Sequence, residues 1–265
     1  MYKLKLGRSV NLGAMEDTPK KLENLGYDSL DLDLALFWKE RDKEIKTYEL
    51  YLESALNAIK NSKLYFNGVH ISFGPNWDFS AIEEKNRRQA IALTTEIFKK
   101  VNPYKPYCYI LHGSFEPIKP DERELHIEAL KKSLKELRLL TDSRICVETL
   151  PRTCLLNTGA EAVAITDAVD GIDICADVNH FLQEKSETAL LEMGERVKTL
   201  HISDHDYVNE RHWLPMKGKI DWMKLIEALE KTGYSGVFNY EVGSATAEEI
   251  KENYDKLFAA YNDRN

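Results

Sequence analysis

The sequence has no apolar run long enough to cross a membrane. Among its 265 residues there is no stretch of about 18 consecutive apolar residues. The opening segment MYKLKLGRSV also lacks the roughly 7–15 apolar residues of a secretory signal peptide. These absences argue against a membrane protein and predict a soluble, cytoplasmic one.

Basic residues are too few to suggest a nucleic-acid-binding protein. The chain has 36 Lys and Arg against 44 Asp and Glu, which gives a formal charge of −8. Proteins that bind nucleic acids usually carry an excess of positive charge that neutralises phosphates. The balance argues against nucleic acid as the partner, although a local basic groove is compatible with it.

Cysteine is sparse and shows none of the spacings typical of a zinc ribbon. The four cysteines are Cys108, Cys146, Cys154 and Cys175. Three of them lie in apolar, strand-like runs, so we expect buried, reduced thiols. The Gly-rich phosphate-binding fingerprint of doubly wound folds is also missing, which makes an open doubly wound sheet the weaker alternative for the fold.

What the sequence does contain is a regular alternation of short apolar runs and longer stretches with helical periodicity. The short runs are rich in Val, Ile, Tyr and Phe, and the longer stretches repeat apolar residues at i, i+3 and i+4. The strand-like runs are KLKLGRSV, DSLDLDLA, FNGVHISF, YCYILHGS, RICVETLP, GIDICADVNHF, VKTLHISD and GVFNYEVG. A helical stretch follows each run, which gives eight strand–helix units.

Eight such units predict an α/β protein built as a (β/α)8 TIM barrel. Strands that alternate with helices form parallel sheets, and eight units in 265 residues match the size of a closed barrel. With no linker and no break in composition, the sequence predicts one domain over residues 1–265. The apolar fraction of 43% supplies a large core for it.

Imidazoles and carboxylates accumulate where predicted strands three to eight end. In a TIM barrel these C-terminal ends form the mouth that holds the active site. The residues are His70, His112, Glu148, Asp177, His180, His201, Glu210, His212 and Glu241. Taken singly, each fits a structural hydrogen bond or ion pair. Together they are the side chains that bind zinc, manganese or cobalt, so we predict a divalent metal site at the mouth.

The segment ICADVNHF places an acid, Asp177, at the end of an apolar strand and a histidine, His180, three residues later. A carboxylate at the end of a buried strand needs a partner that offsets its desolvation. We therefore predict that Asp177 faces the barrel axis as a metal ligand. His180 then either binds a second ion or hydrogen-bonds the substrate.

These motifs resemble those of the xylose-isomerase-like barrels. That superfamily contains sugar isomerases and epimerases and also the endonuclease IV type of apurinic-site nuclease. The matching motifs are VETLP, CADVNHF, LHISD, ERHWLPMKGKIDW and NYEV, and the resemblance covers roughly residues 66 to 243. It implies one divalent ion (Zn, Mn, Co or Mg) held by Glu148, Asp177, His201 and Glu241. It also implies that Glu148 and Glu241 move protons on opposite faces of a sugar.

The nuclease branch of the superfamily uses additional ligands. Their counterparts here are His70, His112, His180, Glu210 and His212. We take these five as candidates for a second metal site or for substrate contacts. That branch normally has Asp-x-His where this chain has Glu210-Arg211-His212, and the predicted strand-end loops are short and not cationic.

The resemblance implies a metal-dependent isomerase or epimerase of a sugar or sugar phosphate. Such an enzyme removes a proton beside a carbonyl and passes through an enediolate, with Glu148 and Glu241 as the acid–base pair. The alternative is a metal-dependent phosphodiesterase of the endonuclease IV type. A second alternative is a barrel that binds a sugar without turning it over, although a mere binder has no need of two opposed bases.

The expected partner is a small sugar. Candidate contacts to it are Phe73, Trp77, Arg152, Arg211 and Trp213. The aromatic residues fit packing within loops equally well at this point, and the two arginines fit ordinary loop cations. Association into a homo-oligomer stays open, because periodicity does not separate an apolar outer helix face from the core.

Overall fold

The computed structural model describes residues 1–14, 18–34 and 45–264. Within them, eight parallel strands alternate with eight α-helices. The strands are β1 (Lys5–Asn11), β2 (Ser29–Asp33), β3 (Tyr65–His70), β4 (Cys108–His112), β5 (Arg144–Glu148), β6 (Ile172–Asp177), β7 (Val197–His201) and β8 (Val237–Tyr240). The helices are α1 (Thr18–Asn24), α2 (Ile45–Lys60), α3 (Glu84–Val101), α4 (Arg123–Arg138), α5 (Gly159–Asp167), α6 (Ser186–Met193), α7 (Trp222–Lys231) and α8 (Ala247–Asn262).

The strands form a nearly closed barrel. They pair in the order β7-β6-β5-β4-β3-β2-β1-β8. Between β7 and β8 the described residues make a single bridge, in which Ile202 pairs with Tyr240. The Ile202 N–H donates to the Asn239 carbonyl at 2.8 Å, and the Glu241 N–H donates to the Ile202 carbonyl at 3.1 Å. The predicted (β/α)8 TIM barrel is confirmed.

The strands are buried on both faces, and β2 shows how the sequence divides the two. Leu30 and Leu32 belong to the large hydrophobic core that includes residues of the surrounding helices. Asp31, between them, contacts the Asn67 amide on β3, and the same amide contacts Thr199 on β7. The Asp31 side chain therefore points into the barrel. Because successive side chains alternate between faces, leucines pack outward and polar residues fill the interior.

The register of the strands aligns their C-terminal ends. His112 lies beside Glu148, and Asp177 lies beside His201. The ends of β3 to β8 therefore meet at one rim.

Two predicted elements extend outside the described residues, the first helix at residue 17 and the second strand at residue 35. Among the described helices, none combines the length and the apolar character that a membrane span requires.

Candidate active site

Four ligand-type side chains from successive strand ends meet at the mouth of the barrel. Glu148, Asp177 and His201 are the last residues of β5, β6 and β7, and Glu241 directly follows β8. One ligand atom of each lies within 4.8 Å of the others. His201 Nδ1 is 3.1 Å from Glu148 Oε1 and 3.3 Å from Glu241 Oε2. The structure thus brings together the four residues predicted to share an ion, and we call them the quartet.

The chemistry of the quartet fits a divalent cation. Three carboxylates surround one imidazole, and Glu148, Asp177 and His201 are almost completely buried. Asp177 Oδ1 accepts a hydrogen bond from the Asn179 N–H at 2.7 Å, but its Oδ2 is buried and accepts none. Buried charges of one sign are stable only when a partner or an ion compensates them. The donor set is therefore suited to zinc, manganese or cobalt.

Without an ion, protons occupy part of this cluster. Burial, together with the nearby Glu241 and Glu148 carboxylates, raises the pKa of Asp177 well above its usual value. Burial alone would lower the pKa of His201, but Cys175, Glu241 and Glu148 raise it well above 6.5. A metal ion that binds here has to displace such protons, because metal ligands must be deprotonated.

Glu148 presents its two oxygens to different groups. Oε1 faces His201, while Oε2 is 2.9 Å from His70 Nε2 and 3.2 Å from His112 Nε2. Burial opposes ionisation of Glu148, but His201, His112 and His70 hold the pKa of its carboxyl well below the usual range. Burial likewise acts to lower the pKa of His70, yet the Glu148 carboxylate raises it to about 9. His70, His112 and Glu148 make a second group with ligand distances, next to the quartet.

The remaining three predicted side chains lie on the other side of the quartet. His180 Nδ1 donates to the Thr149 carbonyl at 2.8 Å, and its Nε2 is 3.4 Å from Glu210 Oε2. The His212 ring lies 6.0 Å from the His180 ring. In the described part of the chain, His180, Glu210 and His212 do not form a group with ligand distances. Their roles as ligands or substrate contacts stay predictions.

A cavity of about 510 Å³ opens above the quartet. Its lining includes Glu148 and Glu241 and all five candidates for a second metal or for substrate contact. Phe73 also lines it and stacks on His112, with 4.5 Å between the ring centroids and 15° between the planes. The cavity is large enough for a small sugar, since ligand pockets commonly measure about 300–1,000 Å³.

The other expected substrate contacts are placed differently. Arg152 lines the cavity, but its guanidinium is already bound by Glu116 at 2.6 Å and by Glu210 at 3.0 Å. Arg211 pairs with Asp206 at 2.8 Å and lies over the Trp213 ring, and neither Arg211 nor Trp213 lines the cavity.

Trp77 is also absent from the cavity wall. Its side chain is buried in the hydrophobic core. Trp77 therefore packs within the protein, which is the alternative to sugar contact that the sequence left open.

Several acidic residues of the site were not predicted from the sequence. Asp33 and Glu116 line the cavity, and Asp31 lies beneath the quartet, 4.0 Å from His201. The alternating run Leu30-Asp31-Leu32-Asp33-Leu34 carried a signal for two of them. In a strand buried on both faces, acids at every second position point to the same side, here the barrel interior.

Comparison with known proteins places the chain in a family. A family model described as xylose isomerase-like TIM barrel matches residues 19–260. The chain belongs to this family. The resemblance seen in the strand-end motifs is thereby confirmed.

Individual relatives are more distant. D-psicose 3-epimerase from Ruminiclostridium cellulolyticum is 24% identical over 236 residues, which cover 82% of this chain and 74% of that protein. Two other relatives match over a minor part of their own length. The chain spans 24% of the uncharacterized protein y4fM from Sinorhizobium fredii, at 32% identity over 74 residues or 27% of this chain. It spans 36% of the AFI1-like protein C776.06c from Schizosaccharomyces pombe, at 24% identity over 74% of this chain.

Solved structures share the fold over nearly the whole chain. A D-tagatose 3-epimerase-like protein superimposes with a TM-score of 0.81 at 16% identity, covering 98% of this chain and 99% of that one. The 3-keto-D-glucoside 4-epimerase of E. coli superimposes with a TM-score of 0.74 at 17% identity, covering 97% and 100%. At these identities the likeness shows the architecture.

Proposed function

We propose that this protein is a metal-dependent sugar epimerase or isomerase that moves a proton beside a carbonyl through an enediolate. The observation that carries the proposal is the quartet of Glu148, Asp177, His201 and Glu241 beneath a cavity of about 510 Å³. Similarity to D-psicose 3-epimerase over 82% of the chain supports the same class of reaction.

The two glutamates supply the acid and the base. The quartet would hold a divalent ion, which would supply Lewis-acid polarisation of the sugar carbonyl. The pKa values of Glu148 and Glu241 both lie below the usual value, so both are ionised at neutral pH. One carboxylate takes the proton from the carbon beside the carbonyl. The other glutamate, once it has taken up a proton from water, donates that proton to the same carbon or its neighbour, and the first glutamate then releases its proton to water, which restores the starting state.

Glu148 and Glu241 differ in their access to water. The Glu148 side chain is 1% exposed, whereas that of Glu241 is 22% exposed. A proton held on Glu241 therefore exchanges with solvent between turnovers.

Incorporation of deuterium from solvent into the sugar tests the proposal. The protein is stripped of metal, reloaded separately with zinc, manganese, cobalt or magnesium, and incubated with a panel of ketoses in heavy water. We expect a new sugar with solvent deuterium on its carbon skeleton in at least one combination. Binding of a sugar without deuterium incorporation across the whole panel would contradict the proposal and favour a barrel that only binds.

The second group with ligand distances, His70, His112 and Glu148, supports a competing function. His70 and His112 approach Glu148 Oε2 while His201 approaches Oε1, so Glu148 belongs to two groups of ligand-type side chains, and the second group would suit another ion. Clustered ions activate water and stabilise a phosphodiester under attack. Two or more ions per chain by elemental analysis, together with cleavage of DNA that contains an abasic site, would favour this phosphodiesterase. One ion per chain and no cleavage favour the epimerase.

A further inference from the structure

The barrel interior beneath the quartet contains an acidic side chain that the proposed reaction does not use. Asp31, on β2, is fully buried. Its Oδ1 accepts a hydrogen bond from Asn67 Nδ2 at 2.8 Å, and the same amide group donates to Thr199 Oγ1 at 3.0 Å. Its Oδ2 is buried and accepts no hydrogen bond. An unpaired carboxylate oxygen in the interior costs free energy, so a partner is expected for it.

The group that Asp31 faces is His201. Asp31 Oδ2 lies 4.0 Å from His201 Nε2, and this nitrogen is also buried without a hydrogen-bond partner. The other ring nitrogen, Nδ1, faces the mouth, close to Glu148 and Glu241. The imidazole therefore has one nitrogen directed at the quartet and one directed at an unpaired carboxylate. Cys175 also neighbours the ring, but a thiol sulfur is a weak acceptor.

We propose that Asp31 is the positioning residue for His201. Its carboxylate accepts a hydrogen bond from Nε2–H of His201. This bond fixes the tautomer in which Nδ1 carries a lone pair directed at the mouth. The contact has to shorten from 4.0 Å to about 3 Å for a hydrogen bond. Histidines that bind metals generally donate their other N–H to a carboxylate or carbonyl, which orients the ring and raises its basicity. The role in metal binding rests on the proposed function.

The backbone beside Asp31 is built to leave room for this carboxylate. The pairing of β2 and β3 shifts between Leu30 and Asp31, and Gly68 becomes the neighbour of Asp31. A Cβ atom at position 68 would lie 2.7 Å from Asp31 Oδ2 and 2.9 Å from Asp31 Cγ. The same Cβ would lie 2.9 Å from Ile110 Cδ1, so a side chain at position 68 would press on both the Asp31 carboxylate and Ile110.

Two variants test the inference from different directions. Asp31→Asn keeps the shape and leaves an oxygen for Asn67, so its NH₂ group faces His201 Nε2. Two donors then oppose each other, and the imidazole has to protonate Nδ1 instead. Gly68→Ala keeps the Asp31 carboxylate but presses on it. Ser29→Ala is the matched control, because Ser29 is a buried polar residue of the same strand whose hydroxyl has no hydrogen-bond partner.

The readouts are zinc affinity and the tautomer of His201. Zinc affinity is measured by competition with a chelating dye, and the melting temperature of the metal-free protein reports folding. The tautomer is read from ¹⁵N-labelled histidine by NMR, with His201 assigned by its loss in His201→Gln. We expect zinc affinity to fall about 10- to 100-fold in Asp31→Asn and Gly68→Ala, and to stay within about twofold in Ser29→Ala.

The outcomes separate this inference from the proposed function. If wild type binds zinc and both variants bind it as tightly as Ser29→Ala with an unchanged Nε2–H signal, Asp31 does not position His201. If wild type binds no metal, the proposed metal-dependent function fails. The NMR comparison in the metal-free protein, made at a pH above the raised pKa of His201 so that the ring is neutral, still decides the inference in that case: an Nε2–H signal lost in Asp31→Asn supports it, and identical spectra overturn it.

Discussion

At the scale of single residues, a substitution can separate the two roles proposed for Glu241, metal ligand and base. Its carboxylate belongs to the quartet and also lines the cavity. Glu241→Gln keeps the shape and one oxygen ligand but removes the base. Because a general base typically contributes about 10²–10⁴-fold, we expect the metal-loaded variant to lose at least about 100-fold in kcat. Steady-state rates with metal content measured on the same sample check this.

Glu116→Gln is the control for that experiment. Glu116 lines the same cavity but is bound to Arg152 and lies outside the quartet. It should retain metal and most of the turnover rate. If metal-loaded Glu241→Gln turns over at a near-normal rate, Glu241 is only a ligand.

The raised pKa values of two quartet residues predict how metal affinity depends on pH. The pKa values of His201 and Asp177 are both raised in the metal-free protein, so both groups bind protons more tightly than they do in water. Zinc competes with these protons, and lowering the pH strengthens the competitor. Affinity should therefore rise from pH 6 to pH 8, with proton release on binding. Calorimetry in buffers of different ionisation enthalpy measures that release, and an affinity independent of pH would contradict the predicted protonation.

At the scale of loops and elements, Arg152 connects four strand–helix loops around the cavity. Its guanidinium binds Glu116 in the loop after β4 and Glu210 in the loop after β7. Its carbonyl accepts a hydrogen bond from Gln183 in the loop after β6. Since these ion pairs are partly exposed, each adds little to global stability. We infer that they hold the cavity walls in place.

We therefore expect Arg152→Ala to act on substrate binding more than on folding. KM should rise several-fold, while the free energy of unfolding changes by about 1 kcal/mol or less. Arg196→Ala is the matched control, because Arg196 makes a similar double contact to Asp167, at 2.6 and 2.7 Å, away from the mouth. Equal KM values in the two variants would show that the Arg152 contacts do not shape the site.

The elements themselves were largely predictable from the sequence, because strand and helix periodicities differ clearly. Their ends were less so. The run KLKLGRSV starts at residue 3, for example, but β1 begins at Lys5. Burial of loop residues was not predictable either. Trp77 looks like a sugar-stacking residue in sequence, yet it packs into the core.

The site was predictable where a polar residue interrupts an apolar strand. Asp177 after Ile174-Cys175-Ala176 is such a case, and the structure places it in the quartet. Asp31 escaped notice because the alternation in β2 resembles a half-exposed strand. Only closure of the sheet makes the inner face of that strand an interior.

At the scale of the whole molecule, the barrel has one weak seam. Every other pair of neighbouring strands shares several paired residues, while the described residues of β7 and β8 meet at the single Ile202–Tyr240 bridge. His201 precedes this bridge on one side, and Glu241 follows it on the other. An ion bound to both would therefore join the two edges of the sheet.

Metal should accordingly protect the seam more than the rest of the barrel. Binding at 100 times the dissociation constant stabilises the fold by about 2.7 kcal/mol, which corresponds to several degrees in Tm. We expect the largest gain in hydrogen-exchange protection at the amides of Ile202 and Glu241, which make the seam hydrogen bonds. Amides between β1 and β2 serve as the internal control, because that pair has a regular ladder and contributes no residue of the quartet or of the His70–His112–Glu148 group. Exchange measured with zinc and with a chelator distinguishes the cases. Equal protection at both places would mean that the ion stabilises the fold without closing the seam, and no change in Tm would mean that the quartet holds no ion.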